Sequence, residues 1–150
     1  MFTRQIPKFE TVTLYICNGL AYLPTQIRYD TEQAVDSEPV YVCDLEQDKI
    51  VEVVEKILNE QKSRLPLPKS MSEIYKTAAA VVLKATKKRS WMQLAKVCRV
   101  YMVTWKNEEI IISASQLDKK GRFEFPNSLQ KSYPKSTNLV ELVKTILEAS

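Results

Sequence analysis

The sequence predicts an α+β protein: a mostly antiparallel, or mixed, sheet of about five to six strands with about three to four helices packed on it. Two observations carry this. Apolar residues alternate with polar ones in runs joined by tight turns, which implies antiparallel hairpins. Between the two groups of such runs lies a block whose apolar residues recur at helical spacing, and a last helical stretch closes the chain.

The elements follow in order. In Thr11 to Cys17, Val12, Leu14 and Ile16 point one way while Thr11, Thr13 and Tyr15 point the other, the period of a half-buried strand. Asn18-Gly19 is a two-residue hairpin signal, so Leu20 to Tyr29 returns as the second strand. Pro24 inside it argues for an edge position or a bulge. A polar loop, Asp30 to Glu38, leads to a short third strand, Pro39 to Cys43. Residues 45 to 61 read as a helix through Leu45, Ile50, Val53, Val54, Ile57 and Leu58. Pro66 and Pro68 mark an extended loop. Ser70 with Glu73 forms a capping-box pattern opening a helix to about Ala85. Ser90 caps a short helix from Trp91 to about Lys96. Cys98 to Trp105 and Glu109 to Ser115 form a second hairpin around Lys106-Asn107-Glu108. Asp118 to Gly121 is a turn and Arg122 to Phe125 a further short strand. Pro126 to Lys135 reads as loop, and the last helix starts near Asn138, with Leu139, Leu142, Val143, Ile146 and Leu147 on its apolar face.

The 150 residues amount to about one domain, residues 1–150. A chain this long folds without disulfides or metal. The first residues, MFTRQIPKFETVTLYICNG, contain no long apolar run, so no signal peptide is expected. No stretch approaches the ~20 apolar residues of a membrane span. Cys17, Cys43 and Cys98 are widely spaced and form no CxxC pair. They read as three reduced core thiols of a cytoplasmic protein, with a disulfide or a reactive thiol as the alternative.

Much chemistry is excluded by residue type. The chain has no histidine, which removes the commonest general base and metal ligand. Three scattered cysteines cannot assemble a tetrahedral zinc site of the Cys or Cys/His kind. Two glycines, Gly19 and Gly121, cannot make a phosphate-cradling loop. Carboxylate pairs remain, but they fall in a polar loop and on a helix face, where hydrated charge is the plainer reading. The sequence therefore predicts a binding protein, with no catalytic residue, no metal and no cofactor.

Charge is distributed unevenly. Residues 30 to 60 hold ten acids against Lys49 and Lys56, a net −8, so the other 119 residues carry +12 to reach the chain's +4. Asp30, Glu32, Asp36, Glu38, Asp44 and Glu46 are the candidate partner-binding residues, a patch suited to a basic protein surface. The plainer reading is solubilising charge. The basic run Lys84, Lys87, Lys88, Arg89, Lys96 and Arg99, with Trp91 close by, offers the alternative of a nucleic-acid-binding module over residues 84–99. An edge strand could also accept a partner's strand. Tyr15, Tyr22, Tyr29, Tyr41, Tyr101 and Trp105 lie on strands, as cross-strand packing or as exposed anchors.

Three stretches carry a family resemblance: Ile6-Pro7-Lys8-Phe9 leading into a strand, Ser90-Trp91-Met92-Gln93-Leu94 introducing a hairpin, and Phe123-Glu124-Phe125-Pro126 before an amphipathic C-terminal helix from Asn138 to Glu148. In this order the chain resembles the immunity proteins of bacterial contact-dependent growth inhibition systems. The resemblance implies a cytoplasmic protein that binds a cognate toxin C-terminal domain, often a nuclease, and blocks its active site or substrate path; the sequence leaves the oligomeric state open and favours a monomer in a one-to-one complex. It implies no catalysis. An inhibitor of a basic nuclease is expected to be acidic, whereas this chain is basic overall, so recognition would fall to the acidic segment or the toxin would not be strongly basic. Toxin-contacting positions vary within the family, and none is carried over.

Overall fold

A computed structural model describes residues 10–28, 34–60 and 70–150. Its strands are β1 (Glu10–Cys17), β2 (Leu20–Arg28), β3 (Ala34–Asp44), β4 (Cys98–Trp105), β5 (Glu109–Ala114), β6 (Gln116–Leu117), β7 (Phe123–Glu124) and β8 (Gln130–Pro134). Its helices are α1 (Gln47–Asn59), α2 (Met71–Thr86), α3 (Trp91–Val97) and α4 (Leu139–Ala149).

Six strands form one antiparallel sheet in the order β3-β2-β1-β4-β5-β8, and β6 and β7 form a separate hairpin. The α+β expectation is met. Asn18 and Gly19 both take positive φ, 51° and 78°, the backbone that a tight two-residue hairpin demands. The central pairing, β1 with β4, runs from Glu10↔Trp105 to Cys17↔Cys98 and joins residues some ninety positions apart.

Strand alternation divides the apolar residues between two faces. Val12, Leu14, Leu23, Tyr101, Val103, Ile110 and Ile112 face α1 and α4, which supply Ile50, Val54, Leu142, Val143 and Ile146. Each such side chain contributes roughly 1.5–3 kcal/mol on burial. Tyr15, Cys17, Cys98 and Val100 face the other way, onto Val82 of α2 and Leu94 of α3. Helices thus cover both faces of the sheet.

Several expectations are corrected. β3 begins at Ala34, inside the segment read as a loop. Its acidic residues hide the strand because Asp36 pairs across to Gln26. Pro24 lies on an interior strand, and the bulge option holds: the register shifts between Pro24 and Thr25, leaving Glu38 and Pro39 unmatched on β3. Thr25 Oγ1 closes the bulge by donating to the Pro39 carbonyl at 2.6 Å. β8 also lies in a segment read as loop; it is an edge strand whose side chains are mostly exposed, so it lacks an alternating pattern. The Ser70 capping box does not form, since the Ser70 hydroxyl meets Ser72 Oγ and caps no backbone N–H. Ser90 does cap α3, accepting from Gln93 N, while Gln93 Oε1 accepts from Arg89 N. Asn138 caps α4 through Glu141 N at 2.9 Å.

The reading of three reduced thiols is also corrected. Cys17 and Cys98 are a directly opposed pair of β1 and β4, their Cα atoms 4.4 Å apart, and they are disulfide-bonded. Their separation of 81 residues concealed this, because only the β1–β4 register brings them together. Cys43 is free and half-buried, and burial raises its thiol pKa. Tyr29, Pro66, Pro68 and the Ile6-Pro7-Lys8-Phe9 stretch lie outside the described residues.

Candidate functional site

Of the described acidic candidates, Asp36 is turned inward while Glu38, Asp44 and Glu46 are exposed. Asp30 and Glu32 lie outside the described residues. Asp36 turns toward the sheet, where Tyr15 Oη donates to Oδ2 and Gln26 Nε2 donates to Oδ1, each at 2.7 Å. Tyr15 is 6% exposed and Gln26 4%, so both donors are buried, while Asp36 itself is half-buried at the side of a hollow of about 390 Å³. Burial pushes the Asp36 pKa up, against the two hydrogen bonds, which lower it. Burial, with the Asp36 charge behind it, pushes the Tyr15 phenol well above its ordinary value. Glu38 is exposed at the β3 bulge. Asp44 and Glu46 hold Lys49 between them at 2.8 and 3.3 Å, a solvent-exposed cluster that raises the lysine pKa. One surface acid thus remains on the β3 edge, two more pair with a local cation, and Asp48, Glu52 and Glu55 extend the negative charge along exposed positions of α1.

The opposite face of the sheet is basic and aromatic. Residues 84 to 99 carry six cations and no acid. Trp91 does not project as a free platform: it stacks on Tyr15 with centroids 6.2 Å apart and meets Phe123 edge-on at 5.8 Å. Phe123 comes from the β6–β7 hairpin, whose turn lies against α3, a Cβ at Gly121 falling 3.9 Å from the Met92 methyl. The result is a groove of about 350 Å³ lined by Tyr15, Trp91, Val100, Arg122, Phe123 and Phe125. Met92, Leu117 and Phe125 are exposed large apolar side chains. A second hollow, of about 430 Å³, adjoins it through Arg122 and contains Lys119 and Lys120.

Sequence reading found Trp91 and the turn at Gly121 but missed their meeting. The signal available was Phe123 and Phe125 beside a Lys-Lys-Gly-Arg turn in a strand too short to bury both rings. Of the strand aromatics, Tyr15, Tyr101 and Trp105 are buried, while Tyr22 and Tyr41 are half-buried, with Tyr15 directly opposite Tyr22. Among the described residues no three ligand-type side chains converge on a metal position, and no helix is long and apolar enough to cross a membrane.

Comparison with known proteins places the fold. No family model matches the chain, and no curated protein matches its sequence. Two solved structures share the architecture. A protein of unknown function from Neisseria meningitidis superposes with a TM-score of 0.65 at 11% identity, over 98% of this chain and 96% of that one. A chain of the CdiA-CT/CdiI toxin and immunity complex from Yersinia pseudotuberculosis superposes with a TM-score of 0.63 at 11% identity, over 93% of this chain and 94% of that one. The structural neighbour from the toxin and immunity complex accords with the family resemblance found in the sequence.

Proposed function

We propose that this chain is an immunity protein that binds and neutralises a protein toxin. The observation that carries the reading is the fold shared, over nearly the whole of both chains, with a member of a toxin and immunity complex. The order of sequence motifs supports it independently. In this reading the chain performs no reaction. It occupies the toxin's active site or substrate path, and the toxin is the C-terminal domain of a contact-dependent growth inhibition protein, acting as a nuclease. Complementary charge speeds such an encounter and rejects wrong partners.

The acidic residues take distinct parts in this proposal. Asp30, Glu32, Glu38, Asp44 and Glu46 meet the toxin, while Asp36 holds β3 in register through Tyr15 and Gln26. The protein works in the cytoplasm as a monomer in a one-to-one complex. That compartment is reducing, so the Cys17–Cys98 bond is open to reduction there. The sheet keeps β1 and β4 together through eight residue pairs without the bond.

The test is protection in cells. The C-terminal domain of a cognate growth-inhibition toxin, sought first in the gene directly upstream, is expressed from an inducible promoter, with and without this chain. Growth rescued by the chain and lost with Glu38, Asp44 and Glu46 all changed to Lys supports both the role and the acidic surface. Rescue unaffected by that triple change moves the contact elsewhere. No rescue by the unaltered chain refutes the role.

A further inference from the structure

We propose that the groove between α3 and the β6–β7 hairpin is a docking site for an acidic protein segment that carries one large apolar side chain. The inference goes beyond the immunity reading and does not depend on it.

The site has two adjoining parts of different chemistry. The groove floor is aromatic and aliphatic, from Tyr15, Trp91, Val100, Phe123 and Phe125, and its about 350 Å³ is room for one large side chain. Such anchors, seated in apolar pockets, dominate protein–protein contacts. The neighbouring hollow is cationic. Its acids are already engaged: Asp118 accepts from Lys120 N and Arg122 N, both at 2.8 Å, and Glu124 accepts from Gln116 Nε2 at 2.6 Å. Those bonds, the Arg122 amide first, hold the Asp118 pKa below its ordinary value. Lys119 and Lys120 have no acid partner among the described residues. Arg122 gives its Nε to Asp118 at 3.2 Å and keeps its terminal nitrogens for another carboxylate. The cations thus outnumber the acids facing them, and the complement is a negatively charged chain.

A protein segment fits this better than a nucleic acid. Single strands are held by bases stacking on open aromatic faces. Trp91 has one ring face taken by Tyr15 and packs edge-on with Phe123, which leaves at most one face for a base and no run of open rings for successive ones. Met92 and Leu117 extend apolar surface around the groove, at 51% and 48% exposure. The chain's own acidic helix α1 makes a second copy a rival occupant, which the test separates.

The probe is a fluorescein-labelled heptapeptide with a central Trp flanked by three Glu on each side. Controls are the same peptide with central Ala, the peptide with Lys for every Glu, and a twelve-nucleotide oligo-dT. Polarisation is read at about 50 and 150 mM salt, where exposed ion pairs differ in screening. The proposal expects the Trp probe to bind at least tenfold more tightly than the Ala probe, and the Lys probe not to bind. Lys119→Glu with Lys120→Glu, and separately Met92→Ala with Phe125→Ala, each weaken the Trp probe at least tenfold. All four positions are exposed, so the variants are expected to keep the unaltered circular dichroism spectrum. Equal binding of the Ala probe, tighter binding of oligo-dT, or no peptide binding overturns the proposal. Sedimentation velocity showing self-association abolished by the lysine reversals does so as well, in favour of a second copy.

Discussion

Replacing Asp36 with Ala removes the acceptor of two donors on buried residues, Tyr15 Oη and Gln26 Nε2, and each loses its partner. A stranded buried polar group costs about 1–3 kcal/mol. Two such groups give about 2–6 kcal/mol, and relief from holding a buried carboxylate offsets part of it. The expected net loss is about 2–4 kcal/mol, a fall in Tm of roughly 6–13 °C for a chain this long. Asp36→Asn is expected to cost far less, because the Gln26 amide can turn over and offer its oxygen to the new amide. The assay is urea unfolding at neutral pH, with the slope m unchanged so that the midpoint reports stability alone. The pH dependence adds a sign. The folded pKa of Asp36 is raised by burial, so the folded chain takes up its proton before the unfolded chain does. Stability from this group is fully present below the unfolded value, near about 3.9, and falls as pH rises through the folded value. Asp36→Asn is expected to remove that slope. A loss below about 0.5 kcal/mol for Asp36→Ala, within the ordinary range of surface changes, would refute the interior role.

Under oxidising conditions, changing Cys17 and Cys98 together to Ala reopens a loop of 81 residues, and the chain-entropy model puts the loss at about 4.5 kcal/mol; an unfolding midpoint equally insensitive to the double change and to dithiothreitol would show that the bond stabilises nothing. Ser90→Ala and Asn138→Ala each lose a real cap and are expected to cost about 1 kcal/mol, whereas Ser70→Ala costs a few tenths at most; equal losses at Ser70 and Ser90 in thermal melts would contradict the cap assignments. Lys87 ends α2 in the left-handed region at φ 60°, so Lys87→Gly is expected to stabilise by about 1 kcal/mol, and a destabilised urea midpoint would count against that backbone.

The fold was legible where local chemistry decides it. Asn18-Gly19 fixed the first hairpin, and the spacing of Leu142, Val143 and Ile146 fixed the last helix. Reading failed where a distant partner decides. Asp36 and Ser37 look like loop until Tyr15 and Gln26 are known to lie opposite, and Gln130 to Pro134 has no buried face to betray a strand. Two cysteines 81 residues apart carry no pairing signal without the register of β1 on β4. The candidate site divides along the same line. Charge composition showed the acidic and basic halves of the chain, but Asp36 points inward, and Lys49 draws Asp44 and Glu46 into a local cluster. The aromatic groove escaped because its walls come from β1, α3, β4 and the β6–β7 hairpin, elements far apart in sequence.

The immunity role is tested most directly by isothermal titration of this chain against the purified C-terminal domain of its cognate growth-inhibition toxin, identified as the domain whose toxicity the chain suppresses in cells. The account predicts one-to-one binding with a dissociation constant below about 100 nM, which is about −9.5 kcal/mol or stronger. No heat and no complex by size exclusion at about 10 µM of each partner, well above that constant, would contradict it.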